Sequence, residues 1–338
     1  MPNMRSMNKP FLSILVPCYN VAEFLPRTIQ SLRELQDAED VEFIMINDGS
    51  KDNSLTLLQE FAAMDSRAIL INQENQGVAR ARNNGIQHVN GEYLLLLDGD
   101  DYLDRDAVQC IRRNMNGEDA LLPNTRFITE PGTPIQHIII PNGVYTIEEL
   151  FSHFKVFPVS PKLIYKTSIF KDYNILFNPD MKAGEVFDFT IQHLSHCKNI
   201  VTINDAFYNY IFHPKSATHR PNTDADKTVM MLLDRIDTIH SPWQNSYCLQ
   251  STIFKLITSF TYNKYLRNGL MTDDYISTVR DICSDQRFKQ LLRYLIHHSL
   301  SQPKIFILAM YMLIVPSVFG YKLATKTYQM LHNIHRHV

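Results

Sequence analysis

The sequence predicts a doubly wound α/β fold, a mostly parallel sheet flanked by helices, followed by a helical C-terminal extension. Three observations predict it. Short apolar runs bounded by turn residues alternate with stretches of helical periodicity through roughly the first hundred residues. The runs are apolar at nearly every position, as expected of strands buried on both faces. Polar residues cluster directly after each run, at what becomes one edge of the sheet, and ligands bind outside the carboxyl ends of the strands in such folds.

In chain order, "FLSILVP" (11–17), "VEFIMIN" (41–47), "RAILI" (67–71) and "EYLLLL" (92–97) read as strands. Between them "AEFLPRTIQSLREL", "NSLTLLQEFAAM" and "GVARARNNGIQHV" place apolar residues at helical spacing, which makes them crossover helices. A helix is expected up to about Asn114, a strand at "IQHIII", a helix near "TIEELFSHF" and a strand near "NIVTI". From about Asp224 the pattern is helical with few glycines. Two regions are therefore expected, residues 1–222 carrying the sheet and residues 223–338 helical.

Composition limits the alternatives. A chain of 338 residues that is 45% hydrophobic and 20% charged can bury a sizeable core. The five cysteines are scattered, with no C-x-x-C pair, so neither a disulfide framework nor a zinc site is expected and a reducing, cytoplasmic setting fits. The N-terminus reads as a first strand rather than a signal peptide, because its apolar run is short and ends in Pro and Asn. G-x-G-x-x-G and G-x-x-x-x-G-K-[ST] are both missing, which argues against dinucleotide oxidoreductases and P-loop enzymes. No nucleic-acid partner is expected.

Charge is unevenly placed. From Gln286 onward there is no Asp or Glu, whereas Arg287, Lys289, Arg293, Lys304, Lys322, Lys326 and Arg336 contribute +7 to a net charge of −2. This tail contains the uncharged run "IFILAMYMLIVPSVF" (305–319), shorter than the roughly 20 residues that span a bilayer. Basic residues around an apolar helix suit peripheral contact with an anionic cytoplasmic leaflet. The same pattern also fits a core helix with solvated basic neighbours.

The strand ending in "LLLLDGDD" carries the chemistry. Asp98, Asp100 and Asp101 are three carboxylates within four positions, and they repel unless something positive sits among them. Asp98 and Asp100, two apart, share a face of an extended chain, and Gly99 permits a close approach. Oxygen-only ligands suit Mg²⁺ or Mn²⁺, with substrate phosphates completing the shell. A solvated acidic turn is the alternative.

"SILVPCYNVAEFLPRTIQSL", "VEFIMINDGSKDNS", "NQGVARARNNGI" and "GEYLLLLDGDDYL" resemble, in order and spacing, the successive blocks of family 2 glycosyltransferases, which have the GT-A fold and a D-x-D metal site. The resemblance is specific over residues 11–103 and weaker to about 220. It implies that Pro17 and Tyr19 line the base pocket, that Asp48 recognises base and ribose, and that Arg82 helps hold the nucleotide. It further implies that Asp98 lies near ribose and metal and that Asp100 is the principal metal ligand. Asn47 stands where many relatives carry another Asp. Lys162 in "PKLIY" matches a recurrent lysine whose role the sequence does not reveal.

The resemblance also locates the catalytic base. Many relatives carry a "GEDxxF" block, whereas this chain has Gly184, Glu185, Val186, Phe187, Asp188 and Phe189. Valine cannot take a proton, so Glu185 is the leading general base and Asp188 the second, with helix capping as the alternative role of both. "FHPKSATH" resembles the block that closes over the diphosphate, which makes His213 and Lys215 candidates to neutralise it. His193 and His196, at i and i+3, have a spacing metals can use but read as an amphipathic helix, with Cys197 pointing elsewhere.

The expected function is an inverting, Mn²⁺- or Mg²⁺-dependent transfer of sugar from a nucleotide sugar, expected to be a UDP-sugar, to a glycan or lipid-linked acceptor in envelope polysaccharide synthesis. The alternatives are a nucleotidyltransferase and a non-catalytic nucleotide-binding relative, the latter suggested by Val186.

Overall fold

The computed structural model describes residues 9–129, 133–137, 141–154, 162–181, 183–213, 225–238, 246–261, 277 and 281–298. Lys215 and the 305–319 run lie outside these residues. In chain order the first half comprises β1 (Leu12–Cys18), α1 (Leu25–Arg33), β2 (Val41–Asp48), α2 (Ser54–Met64), β3 (Ala68–Gln73), α3 (Val78–Ile86) and β4 (Tyr93–Leu96). There follow β5 (Tyr102–Leu103), α4 (Ala107–Asn114), β6 (Ala120–Thr129), β7 (Thr133–His137) and β8 (Gly143–Tyr145). The rest is α5 (Ile147–His153), β9 (Ile164–Lys166), α6 (Thr167–Asp172), α7 (Glu185–Leu194), β10 (Ile200–Phe212), α8 (Ala225–Thr238), α9 (Tyr247–Thr261) and α10 (Gln286–His298).

Among the described residues the strands form one sheet in the order β3-β2-β1-β4-β9-β6-β10-β5, with β7 on β6 and β8 on β10. β3, β2, β1 and β4 are all parallel, in registers that bring Cys18 opposite Asn47 and Asp48 opposite Gln73. Their carboxyl ends therefore finish together, and the order reverses direction between β1 and β4, the kind of switch point beside which ligands bind in such sheets. β9 is antiparallel to both β4 and β6, and β10 runs parallel to β6.

Burial follows the runs of apolar sequence. Leu12, Ile14, Leu15 and Val16 of β1 and Phe43, Ile44, Met45 and Ile46 of β2 are completely buried, each such side chain contributing roughly 1.5–3 kcal/mol relative to exposure. α3 lies so close to the sheet that a Cβ at Gly85 would come within 2.4 Å of Ile46 Cδ1 and 2.7 Å of Leu15 Cδ1. Glycine at this position lets the helix, and Arg82 one turn earlier, sit against the strands.

The chain divides into two compact units. The first takes Met1–Ile147, Pro161–Pro179 and Phe189–His219, and the second takes Glu148–Ser160, Asp180–Asp188 and Arg220–Val338. Where the sequence suggests one cut after residue 222, two short excursions near residues 148 and 180 thus leave the sheet unit. Within the second unit α9 packs against α8 and α10, and Leu232, Leu233, Ile253, Ile257, Phe288 and Leu292 of these helices are buried. Among the described residues no helix is long and apolar enough to cross a membrane.

Candidate functional site

The loops after the parallel strands of the first unit hold one another. Asn20, at φ 55°, turns the chain out of β1; its backbone N–H donates to Ser50 Oγ at 3.1 Å and its Oδ1 accepts from the Lys51 N–H at 2.8 Å. Val21 and Ala22 donate to Ser54 Oγ and Asp52 Oδ2, both at 3.0 Å. The turns after β1 and β2 are thereby one rigid rim. Pro17 is half-buried in it and Tyr19 is exposed.

Asp48 closes the rim toward β3. Its Oδ1 accepts from Gln73 Nε2 at 2.8 Å and from the Gln76 N–H at 2.9 Å, and its Oδ2 accepts from the Gly77 N–H at 2.9 Å. Asn75 Nδ2 donates to the Asp48 carbonyl at 3.0 Å. A buried carboxylate with three donors is firmly positioned. Neighbouring Asn47 donates from Nδ2 to Asn72 Oδ1 at 2.7 Å, a neutral pair across β2 and β3.

The three carboxylates at the tip of β4 have three different settings. Asp98 Oδ1 accepts from Arg82 Nη2 and Asp98 Oδ2 from Lys162 Nζ, each at 2.9 Å. Although burial alone would raise its pKa, Lys162 first and Arg82 second hold the Asp98 carboxyl well below the usual carboxylate range. Asp101 is fully buried; its Oδ2 accepts from Tyr208 Oη at 2.7 Å, its Oδ1 from the Ile211 N–H at 2.9 Å, and Lys162 Nζ is 3.6 Å away. Burial, aided by Asp98 and Asp100 and opposed by Lys162, pushes the Asp101 carboxyl up to about 7.

Asp100, partly exposed like Asp98, differs in its partner: its Oδ2 is 2.9 Å from Nε2 of His213, whose ring stacks on Phe24 with centroids 4.1 Å apart. His213 is 5% exposed and its buried Nδ1 has no hydrogen-bond partner among the described residues. The close approach expected at Gly99 comes from the protein itself: a Cβ there would meet Cys18 Sγ and the Pro17 carbonyl oxygen at 3.1 Å. Thr28 Oγ1 binds the backbone carbonyls of Gly99 and Asp101 at 3.0 and 2.8 Å, so α1 holds the acidic turn in place.

Six of the sequence-derived residues, Pro17, Asp48, Arg82, Asp98, Asp100 and His213, thus belong to the strand-end region of one unit, with Tyr19 at its exposed rim. Glu185 and Asp188 open α7 and belong to the second unit. Asp188 is 1% exposed and is gripped by Arg235, whose Nε and Nη2 donate to its two oxygens at 2.5 and 3.1 Å. The local sequence ranks Glu185 ahead of Asp188 as the base; the fold makes Asp188 half of a buried ion pair and leaves Glu185 half-buried.

Some partnerships escaped sequence reasoning. Lys162, matched only to a recurrent lysine without a role, lies 64 positions from Asp98, and Tyr208 lies 107 from Asp101. A lysine or tyrosine inside an apolar stretch was the one local signal for either. The histidine pair also differs from expectation: His193 is fully buried, with Nε2 3.2 Å from the Lys166 carbonyl and Nδ1 3.4 Å from Cys197 Sγ. Cys197 therefore turns toward it, and burial pushes the His193 imidazole down to about 4.

Asp100 supplies a carboxylate oxygen and His213 an imidazole nitrogen 2.9 Å apart, the two donors that could reach a divalent cation at this edge. Among the described residues no set of three or more His, Cys, Asp and Glu side chains is gathered for a metal; ions of this class commonly take one or two protein ligands together with substrate phosphates.

Residues 13–174 match the profile of "Glycosyl transferase family 2". The uncharacterized glycosyltransferase EpsJ of Bacillus subtilis is 28% identical over 221 residues, 63% of this chain and 64% of EpsJ, so the chain spans somewhat less than two thirds of that relative. The crystal structure of S. aureus TarS residues 1–349 in complex with UDP-GlcNAc superimposes with a TM-score of 0.70 at 17% identity, covering 95% of this chain and 92% of that one. The mannosyltransferase PcManGT from Pyrobaculum calidifontis, in complex with GDP-Man and Mn²⁺, gives a TM-score of 0.55 at 14% identity over 96% of this chain and 88% of that one. The two structural likenesses bear on the fold.

Proposed function

We propose that the chain is a glycosyltransferase of the family whose profile residues 13–174 match, a reading its fold supports, and that it transfers a sugar from a nucleotide sugar to an acceptor hydroxyl with inversion at the anomeric carbon. The observation that carries this reading is the Asp98–Arg82–Lys162 cluster beside the Asp100–His213 pair, at the carboxyl ends of parallel strands. UDP is the favoured nucleotide, in keeping with the UDP-GlcNAc in the TarS structure.

The residues divide the work. Tyr19 and Pro17 offer a surface for the base, and Asp48, held by three donors, presents a fixed polar edge to base and ribose. Arg82 is oriented by Asp98, which itself faces the ribose. Asp100, with His213, would hold Mn²⁺ or Mg²⁺, which supplies Lewis-acid neutralisation of the leaving diphosphate. Lys215 adds positive charge to the same leaving group. Glu185 takes the proton of the acceptor hydroxyl, whose oxygen forms the new bond to the anomeric carbon while the bond to the diphosphate oxygen breaks. Asp188, fixed by Arg235, is the second candidate.

The acceptor is a glycan or a lipid-linked glycan of envelope polysaccharide assembly. The basic, apolar segment of residues 301–338 supports peripheral contact with the cytoplasmic membrane face, and removing it should abolish partitioning into anionic vesicles. The central test is a panel of nucleotide sugars with Mn²⁺. Metal-dependent release of nucleoside diphosphate supports the proposal. Release of pyrophosphate points to nucleotidyl transfer, and binding without turnover points to a non-catalytic relative, each overturning it.

A further inference from the structure

Like charges at the tip of β4 need a counter-charge, and the chain already contains one. Lys162 is 8% exposed, and its ammonium lies 2.9 Å from Asp98 Oδ2 and 3.6 Å from Asp101 Oδ2. It also lies over the rings of Tyr208 and Tyr210, with centroids 4.6 and 5.4 Å away. Tyr208 Oη donates to Asp101 and accepts from the Asp98 N–H at 3.1 Å, so the same ring walls the ammonium and ties the two acidic residues together. Arg82 takes the remaining Asp98 oxygen. The third carboxylate, Asp100, has no cation from this cluster and pairs with His213 instead.

We propose that Lys162 is a built-in counter-ion that occupies the gap between Asp98 and Asp101 and so confines a divalent cation to Asp100 and His213. It is a positioning residue for the reaction. Place and charge act together. An ammonium in contact with Asp98 and close to Asp101 fills the space a second ion would need, and its repulsion of that ion acts in a buried setting where charges are weakly screened. Without it, partly exposed Asp98 and buried Asp101 would form a carboxylate pair able to attract a divalent cation of their own, in competition with Asp100.

The inference rests on the metal reading above, and its test separates the two. Mn²⁺ alone is titrated into the full chain and free Mn²⁺ is counted by electron paramagnetic resonance, for the parent and for Asp98→Asn, Asp100→Asn and Lys162→Met, with folding followed by circular dichroism. The parent should bind one Mn²⁺. Asp100→Asn should weaken binding at least tenfold, and Asp98→Asn should change it by less than about threefold. Lys162→Met should gain a second bound Mn²⁺, and Mn²⁺ should raise its melting temperature more than the parent's.

Asp98→Asn weakening Mn²⁺ as much as Asp100→Asn does would make Asp98 a ligand and overturn the exclusion by Lys162. A folded Lys162→Met with the parent's stoichiometry would do the same. Should Lys162→Met not fold, the contrast between the Asp98 and Asp100 variants still decides. Unchanged Mn²⁺ binding in both aspartate variants removes the metal reading itself, and this inference with it.

Discussion

Glu185 and Asp188 stand three residues apart, and exchanging each for its amide should produce opposite signatures. Glu185→Gln removes a proton acceptor while keeping shape, so turnover should fall by roughly 10²–10⁴-fold, the usual contribution of a general base, with binding of the nucleotide sugar preserved. Asp188→Asn acts on the fold. Breaking a buried ion pair by deleting one partner costs roughly 3–5 kcal/mol. Arg235 is 26% exposed and can regain water, so the loss should lie near the lower end, about 3 kcal/mol. With a urea dependence of roughly 2 kcal/mol per molar, the unfolding midpoint should drop by about 1–2 M. Circular dichroism in urea and release of nucleoside diphosphate under saturating donor measure the two effects separately. Glu185→Gln retaining more than about a tenth of the parent rate, by the same scale, would refute its assignment. So would an Asp188→Asn protein that unfolds like the parent yet has lost its turnover, which would move the base to Asp188.

Asp48→Asn should disturb the rim, because an amide brings its own N–H toward donors that now meet a carboxylate; about 1–3 kcal/mol of stability should be lost and the donor KM should rise at least as strongly as kcat falls, read from initial rates. Gly99→Ala places a methyl 3.1 Å from Cys18 Sγ and the Pro17 carbonyl, so the acidic turn should shift and the protein lose roughly 1–3 kcal/mol, seen as a lower Tm together with weaker Mn²⁺ binding. His193 predicts a pH dependence. Its folded pKa, about 4, lies below the ordinary 6.5, so the unfolded chain binds more protons in that window and the contribution is complete above about 6.5 and lost as pH falls towards 4. Urea midpoints across this range should show a steeper acid-side decline in the parent than in His193→Phe; parallel curves would contradict the assignment.

Much of the candidate site was legible in the sequence because its signals are local. Strand ends are marked where apolar runs stop at "CYN", "DGS" and "DGDD", and parallel pairing then makes those ends neighbours whatever the rest of the chain does. The crossover helices were legible for the same reason, since periodicity is a property of adjacent residues. Three crowded carboxylates could also be seen from sequence to need a positive charge among them.

Which positive charge serves them was a matter for the tertiary structure. Lys162 reaches Asp98 and Asp101 because β9 is hydrogen-bonded beside β4 in one register, with Leu95 opposite Ile164; nothing in the acidic turn or its neighbours in sequence encodes that. His213 likewise meets Asp100 across 113 positions, and Arg235 meets Asp188 across 47. Composition and periodicity report which residues will be buried and where strands end. The partner of a buried charge depends on which distant strand or helix packs against it, and that is decided by register and packing over the whole chain.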